Sequence, residues 1–292
     1  MQKVECGLME ACESSVEPIM NLFSLLLLVV GGFFSGVLAG FLGIGGGTVL
    51  VPMLVAFGYT PVQAVATSSL AILITSISGT VQNWRMGYFD SQRILALGLP
   101  ALITAQFGVW LADHLPSAWL LGAFGVLLLL NIYLVDLKNR LAAKQPQSIE
   151  SPPHQSANPK LVRLITGGLA GLLAGLFGVG GGVIMVPLQM LFLGEPIKLA
   201  IRTSLGVVVM TAISASIGHT LSGNVIPMIG VVLGLGGLVG AQVSTRLLPK
   251  LPDSVISLLF RTFLGILALY IFSQAGIVNS ADDLLEELYR KN

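Results

Sequence analysis

The chain is a succession of long apolar runs broken by short polar stretches, and its polar side chains collect at the ends of the runs rather than recurring within them. Between residues 20 and 42 the polar side chains are Asn21, Ser24 and Ser35 alone. A helix needs about 20 apolar residues to cross a hydrocarbon core, and this run meets that length. Further runs at 62–86, 91–112 and 117–137 predict three more spans, and a second set follows at 161–177, 197–222, 225–248 and 253–274. After the first run of each set comes a shorter apolar segment, at 48–58 and at 183–194. At about 1.5 Å per residue such a segment reaches only roughly 18 Å, so it reads as a half-helix or a steeply packed fragment. The pattern predicts an all-α, polytopic membrane protein.

The two sets are copies. Residues 40–52 read GFLGIGGGTVLVP and residues 175–187 read GLFGVGGGVIMVP, an offset of 135. At the same offset Pro61 meets Pro196 and Ser69-Leu70 meets Ser204-Leu205. After about residue 75 the offset is expected to become 136, where Gly87 meets Gly223, Gly98 meets Gly234, Ala105-Gln106 meets Ala241-Gln242 and Phe124 meets Phe260. The chain divides into an N-terminal tail (1–19), a first repeat (20–137), a linker (138–160), a second repeat (161–274) and a C-terminal tail (275–292). Each repeat holds about four spans plus one short broken helix. Many secondary transporters are two such halves around a shared site built from helices interrupted at Gly or Pro.

Composition secures the membrane reading, with 54% hydrophobic and 10% charged residues. A soluble domain carries about 25% charged residues. The net charge of +1 gives no reason to expect a nucleic-acid partner. Placing the cations inside, as the positive-inside rule asks, groups Arg85, Arg93, Lys138, Arg140, Lys144, Lys160, Arg163, Lys198, Arg202, Arg246 and Lys250 at one surface. The tails, the loop near Asp113 and His114 and the loop at 219–225 then fall outside. This requires an odd number of crossings per half, hence an inverted repeat. Two starts fit the N-terminus: a real exterior tail carrying Cys6, Cys12 and four glutamates, or initiation at Met20. Two cysteines are too few for a disulfide framework or metal site.

All fourteen acidic residues fall in tails, loops or span ends. An ionisable group within a membrane is expensive and is kept for function, so this distribution argues against a cation substrate and a carboxylate proton relay. Anions suit the interior better. Each glycine phrase frees backbone N–H groups at the start of the helix that follows, where the helix dipole adds positive potential. The candidate binding residues are Gly43, Gly45, Gly46, Gly47, Thr67, Ser68 and Ser69 in the first half. In the second half they are Gly178, Gly180, Gly181, Gly182, Thr203 and Ser204, with Arg202, His219, Gln106 and Gln242 as secondary candidates.

Plainer roles compete for each. Glycine in membrane helices serves close packing, and Ser or Thr hydroxyls bond back to their own helix. Arg202 also fits an interfacial snorkeller, and His219, matching Asn83, a boundary histidine. Gln106 and Gln242 fit interhelical hydrogen bonds as well as a pore lining. Arg261 lies inside the last span with Gly125 opposite it in the repeat. Trp84, Tyr88, Trp110 and Trp119 fit interfacial anchors. Three histidines without a cluster argue against an enzyme, and nothing calls for a metal or cofactor.

The duplicated glycine phrase, with ATSSL at 66–70 and RTSL at 202–205, resembles the TauE/SafE family of sulfite exporters and related anion permeases from Asn21 to about Phe272. The resemblance implies a bacterial inner-membrane permease for sulfite, sulfoacetate or related organosulfonates. It places the family's motif on Gly43, Gly45, Gly46, Gly47, Pro52, Thr67 and Ser69, and on Gly178, Gly180, Gly181, Gly182, Pro187, Thr203 and Ser204. The acidic, Cys-bearing tail departs from the family pattern. Uniport of an anion down the membrane potential fits export, with proton coupling through His219 a poorer second. The alternatives are an anion channel and a carrier of non-sulfur organic anions. The partners expected are a small anion and the bilayer.

Overall fold

Apolar runs of this length leave the backbone no solvent partner but itself, so they fold as helices. The computed structural model describes residues 22–144 and 159–270; both tails, Cys6 and Cys12, and the middle of the linker lie outside the described residues. The first half comprises α1 (Leu22–Leu42), α2 (Gly47–Ala56), α3 (Pro61–Arg85), α4 (Ser91–His114) and α5 (Ser117–Lys144). The second comprises α6 (Pro159–Phe177), α7 (Gly182–Phe192), α8 (Ile197–Leu221), α9 (Pro227–Leu247) and α10 (Asp253–Tyr270). Seven of these are long and apolar enough to cross a membrane: α1, α3, α4, α6, α8, α9 and α10. Helix α5 runs past the expected span end at 137 to Lys144, because Leu-Lys-Asn-Arg-Leu-Ala-Ala-Lys is rich in helix formers.

The two short helices run back along the helices that precede them. Ser35 Oγ of α1 donates to Gly46 O at 2.8 Å, and Gly31 of α1 lies against the Met53 side chain of α2. Gly181 likewise abuts Ala170 of α6. Each pair is a helical hairpin whose glycine bend is surrounded by protein, where broken backbone is tolerated at membrane depth.

Packing between the halves rests on small residues. Gly32, Gly36 and Gly40 of α1 lie against Leu233, Gly237 and Ser244 of α9, in that order, so the two helices run parallel. Gly167, Gly171 and Gly175 of α6 lie against Leu97, Ala101 and Ala105 of α4 in the same manner. A methyl group at Gly36 or Gly171 would strike the carbonyl of Gly237 or Ala101; small side chains are what let membrane helices approach this closely. The large side chains of α4 face outward instead, with Leu95, Leu99, Ile103, Phe107 and Trp110 exposed as one stripe. Helices α3 and α9 also run parallel, Gly230 meeting Leu70 and Gly237 meeting Thr75, as do α4 and α8, where Ile94 meets Gly206 and Gly98 meets Met210. Each of these contacts has a counterpart at equivalent positions in the other half.

The chain ends up with two chemically different ends. At one, Arg93 Nη1 pairs with Glu195 Oε1 at 3.1 Å and Lys198 Nζ with Asp253 Oδ1 at 3.3 Å. At the other, Ser222 Oγ and Asn224 Nδ2 donate to the Asp113 carboxylate at 2.7 and 2.9 Å, joining the α4–α5 and α8–α9 turns.

One expectation of register is corrected. The extra residue of the second half lies in the short helix, since α7 has 11 residues where α2 has 10. From there on the offset is 136: Gly58 and Gly194 both have positive φ, and Thr60 and Pro196 both stand at the N-caps of 25-residue helices. Ser204 therefore corresponds to Ser68, not Ser69, and Pro196 to Thr60, not Pro61.

Candidate functional site

The glycine phrases become two buried loops that meet in the middle of the bundle. Gly43, Gly45 and Gly46 have φ of 70°, 74° and 89°, and Gly178, Gly180 and Gly181 have 61°, 76° and 72°. Other residues rarely adopt this left-handed conformation. Gly46 and Gly181 are the N-caps of α2 and α7, with no side chain capping either helix. A Cβ on Gly47 would strike Gly178 O, and one on Gly182 would strike Gly43 O, so the loops touch backbone to backbone. All residues from Gly43 to Gly47 and from Gly178 to Gly182 are buried.

Among the described residues, no backbone acceptor meets hydrogen-bond geometry for the N–H groups of Gly45, Gly46, Gly180 and Gly181. Three loop carbonyls, by contrast, accept from side-chain hydroxyls of α3 and α8. Ser68 Oγ donates to Gly178 O at 2.9 Å and Ser204 Oγ to Gly43 O at 2.7 Å, each also reaching the carbonyl three residues back in its own helix. Thr211 Oγ1 donates to Gly180 O at 3.1 Å. The carbonyls of Gly43, Gly178 and Gly180 are thus held by hydroxyls, while the N–H groups of Gly45, Gly46, Gly180 and Gly181 have no backbone partner. Such a polarity favours a negative ligand.

Ile72 of α3 and Val208 of α8, again 136 apart, fill the ground between the loops: a Cβ on Gly45 or on Gly180 would crowd both side chains. They form a small buried apolar cluster with Ala212. The hydroxyl runs and the glycine loops are thus brought together, but Ser68 and Ser204 are engaged in bracing the opposite loop.

The remaining candidates separate. Ser69 Oγ bonds back to Val65 O at 3.0 Å, and Thr67 Oγ1 accepts from Ile226 N at 3.1 Å. Thr203 is buried beside Ser204. Gln106 Nε2 donates to Ser214 O and Oγ at 2.6 and 2.9 Å, and Gln242 Nε2 to Ser78 O and Oγ, both at 3.1 Å. These glutamines are a matched pair of interhelical ties. His219 is fully buried, its Nε2–H donating to Gly175 O at 3.1 Å, while Nδ1 is unpartnered. The guanidinium carbon of Arg202 sits 3.5 Å from the centroid of the Tyr88 ring, and its Nε is buried without a partner. Arg202 lies next to Ile201 and two residues before Ser204, which contact Gly43, so it stands between the cation-rich end and the first glycine loop.

Sequence reasoning did not single out Ser35, Thr211, Ser78, Ser214, Ile72 or Val208. The signal was present for three of them, since Ser78 matches Ser214 and Thr211 matches Thr75 at offset 136. No group of three or more His, Cys, Asp or Glu suited to a metal occurs among the described residues.

Seven apolar spans, two broken-helix hairpins and a paired backbone site define a multi-pass membrane transporter. The family model described as Sulfite exporter TauE/SafE matches residues 28–271, and the chain belongs to that family. It is similar to "Probable membrane transporter protein YunE" of Bacillus subtilis, 27% identical over 259 residues that cover 82% of this chain and 94% of that protein. A second Bacillus subtilis relative, "Probable membrane transporter protein YdhB", is 26% identical over 250 residues, covering 84% and 100%. A "Probable membrane transporter protein" of Haemophilus influenzae is 28% identical over 281 residues, covering 87% and 99%.

Proposed function

We propose that this transporter moves a small sulfur oxyanion, sulfite or an organosulfonate, outward across the membrane. The observation that carries the reading is the set of buried loop amides at Gly45, Gly46, Gly180 and Gly181 that lack a backbone acceptor. A buried N–H left unpaired is costly, and the tetrahedral or pyramidal oxyanion of a sulfite or sulfonate offers several acceptors to such donors. The starts of α2 and α7 add their dipoles at the same place. Transport by this reading needs Ile72 and Val208 to part, as the half containing α3 moves against the half containing α8. The family's description as sulfite exporters supports the substrate class. Movement of an anion out of a cell that is negative inside needs no carboxylate relay, and none of the acidic residues lies in the apolar middle of a described span.

The test is flux in proteoliposomes under an imposed potential, with sulfite, sulfoacetate, sulfate and chloride supplied in turn. Saturable movement of sulfite or sulfoacetate, with chloride inert, supports the reading. Movement of chloride at a comparable rate overturns it in favour of an unselective channel, and inertness toward all four removes the sulfur assignment.

A further inference from the structure

Away from the glycine loops, at the cation-rich end, a cavity of about 690 Å³ opens between the end of α7, the start of α8 and α10. Met190, Ile197 and Leu258 form its apolar walls, and Ser254, Ser257 and Arg261 its polar side. Ser254, Ser257 and Arg261 are spaced by three and four residues and so lie on one face of α10. Arg261 stands eight residues past Asp253, about 12 Å down the helix. An arginine stem spans much of that depth, which lets the guanidinium snorkel toward the level of Ser257 while its carbons lie along apolar surface. Asp253 also lines the cavity, but its carboxylate is paired with Lys198 Nζ at 3.3 Å, so the mouth is not dominated by negative charge.

The site has no counterpart in the other half. At offset 136 the positions of Ser254, Ser257 and Arg261 are Ala118, Leu121 and Gly125. A polar, basic stripe on the lipid side of the outermost helix is therefore confined to the end that also carries Arg93, Lys198 and Lys250. By the positive-inside rule that end faces the cytoplasm, where the leaflet surface is negative and basic pockets between helices take anionic head groups.

We propose that this cavity is a binding site for one anionic phospholipid of the cytoplasmic leaflet. Its phosphate sits against Arg261 and Ser257, and the start of an acyl chain lies along Leu258 and Met190. Leu258 is 66% exposed, as a residue facing an acyl chain is. The inference does not depend on which substrate the transporter carries.

The experiment uses the purified full chain in detergent, equilibrated with equal phosphatidylglycerol and phosphatidylcholine, and counts retained lipid by native mass spectrometry. The expected result is a preference for phosphatidylglycerol of about fivefold or more, the scale of one basic side chain at an anionic surface. Arg261→Gln should abolish the preference and Arg261→Lys keep most of it. Ser257→Leu, which replaces the hydroxyl facing the phosphate with an apolar side chain without touching the charge, should weaken the preference and decides the matter if Arg261→Gln misfolds. Equal retention of the two lipids by the wild type, or an unchanged preference in Ser257→Leu, overturns the proposal. Millimolar inorganic phosphate is added in a parallel arm, and its displacing the lipid completely would show a free-anion site instead.

Discussion

Ser204 of α8 donates its hydroxyl to Gly43 O at 2.7 Å, tying the second half of the chain to the glycine loop of the first. Ser68 of α3 does the same for Gly178 at 2.9 Å. Both oxygens also satisfy a carbonyl in their own helix, so each serine is a bridge between a straight span and a broken one. Alanine at either position leaves a buried glycine carbonyl without its donor. The expected loss is about 0.5–1.5 kcal/mol per site, read as a lowered thermal midpoint in detergent. The two losses should differ little, because the contacts are equivalent. A midpoint unchanged in both variants would mean that neither bond persists in the membrane.

How much of this was legible in the sequence is shown by the same pair. The glycine phrases, the helix order and the grouping of cations could be read directly, because each depends on residue type alone. The register could not. Ser68 and Ser69 are adjacent, and either can be matched to Ser204 by letter; only the hydrogen bond to the opposite loop separates them, since Ser69 bonds back to Val65. The extra residue sits in a stretch of α7 whose one polar side chain, Gln189, has only apolar residues opposite it in α2, so no shared landmark marks the insertion. Ile72 and Val208 were invisible for a related reason: in an apolar helix nothing distinguishes the residue at a crossing point from its neighbours.

Glycine substitutions should divide sharply by surroundings. Gly58 and Gly87 have φ of 91° and 77° and nothing near the place a Cβ would occupy, so alanine there carries only the left-handed penalty, about 1–2 kcal/mol. At Gly46 and Gly181 the same change also drives the methyl into Ser35 or into Ala170 O. We expect Gly58→Ala and Gly87→Ala to insert and transport. Gly46→Ala and Gly181→Ala should lose flux, and valine at either position should lose it entirely. Parallel assays of membrane yield and flux distinguish the classes, and normal flux in Gly181→Ala would reduce the loop to a packing device.

The α7–α8 turn carries a pH-sensitive contact. Burial raises the Glu195 carboxyl above its ordinary value of 4.5, with the Arg93 guanidinium 3.1 Å away opposing the shift. A carboxyl whose folded value is raised binds its proton more tightly in the folded state. Its contribution to stability is therefore full below about pH 4.5 and is lost as pH rises through the folded value. Glu195→Gln should flatten the dependence of the thermal midpoint over that window and raise the midpoint relative to wild type at its upper end. A slope identical to that of the wild type would place the titration elsewhere.

Arg202 links the cation-rich end to the first glycine loop. Its stacking on Tyr88 is worth about 0.5–1 kcal/mol at an exposed site and more when desolvated. Tyr88→Phe keeps a ring face and should be nearly silent, whereas Tyr88→Ala should lower stability by about that amount. If Arg202 also meets the substrate anion on its way to the loops, Arg202→Gln should raise the KM for the transported anion more than it lowers the maximal rate. Arg202→Lys, which keeps the charge without the planar fork, should fall between. An unchanged KM in Arg202→Gln would make this side chain an anchor only.

Selectivity should reside at the crossing of α3 and α8. Ile72 and Val208 fill the space between Gly45 and Gly180, where the two loops meet. If the loop N–H groups hold the anion, chloride and sulfite meet the same donors there, and discrimination requires that nothing pass until the apolar pair separates. Truncating Ile72 or Val208 to Ala removes buried methyl groups at about 1–4 kcal/mol each and leaves space beside the unpaired amides. The expected phenotype is a gain as well as a loss: reduced thermal stability together with a chloride leak absent from the wild type. The double variant should leak more than either single variant, because both side chains close the same gap. Flux that falls for every anion in proportion, with chloride still excluded, would show that the barrier to small ions lies at another level of the bundle.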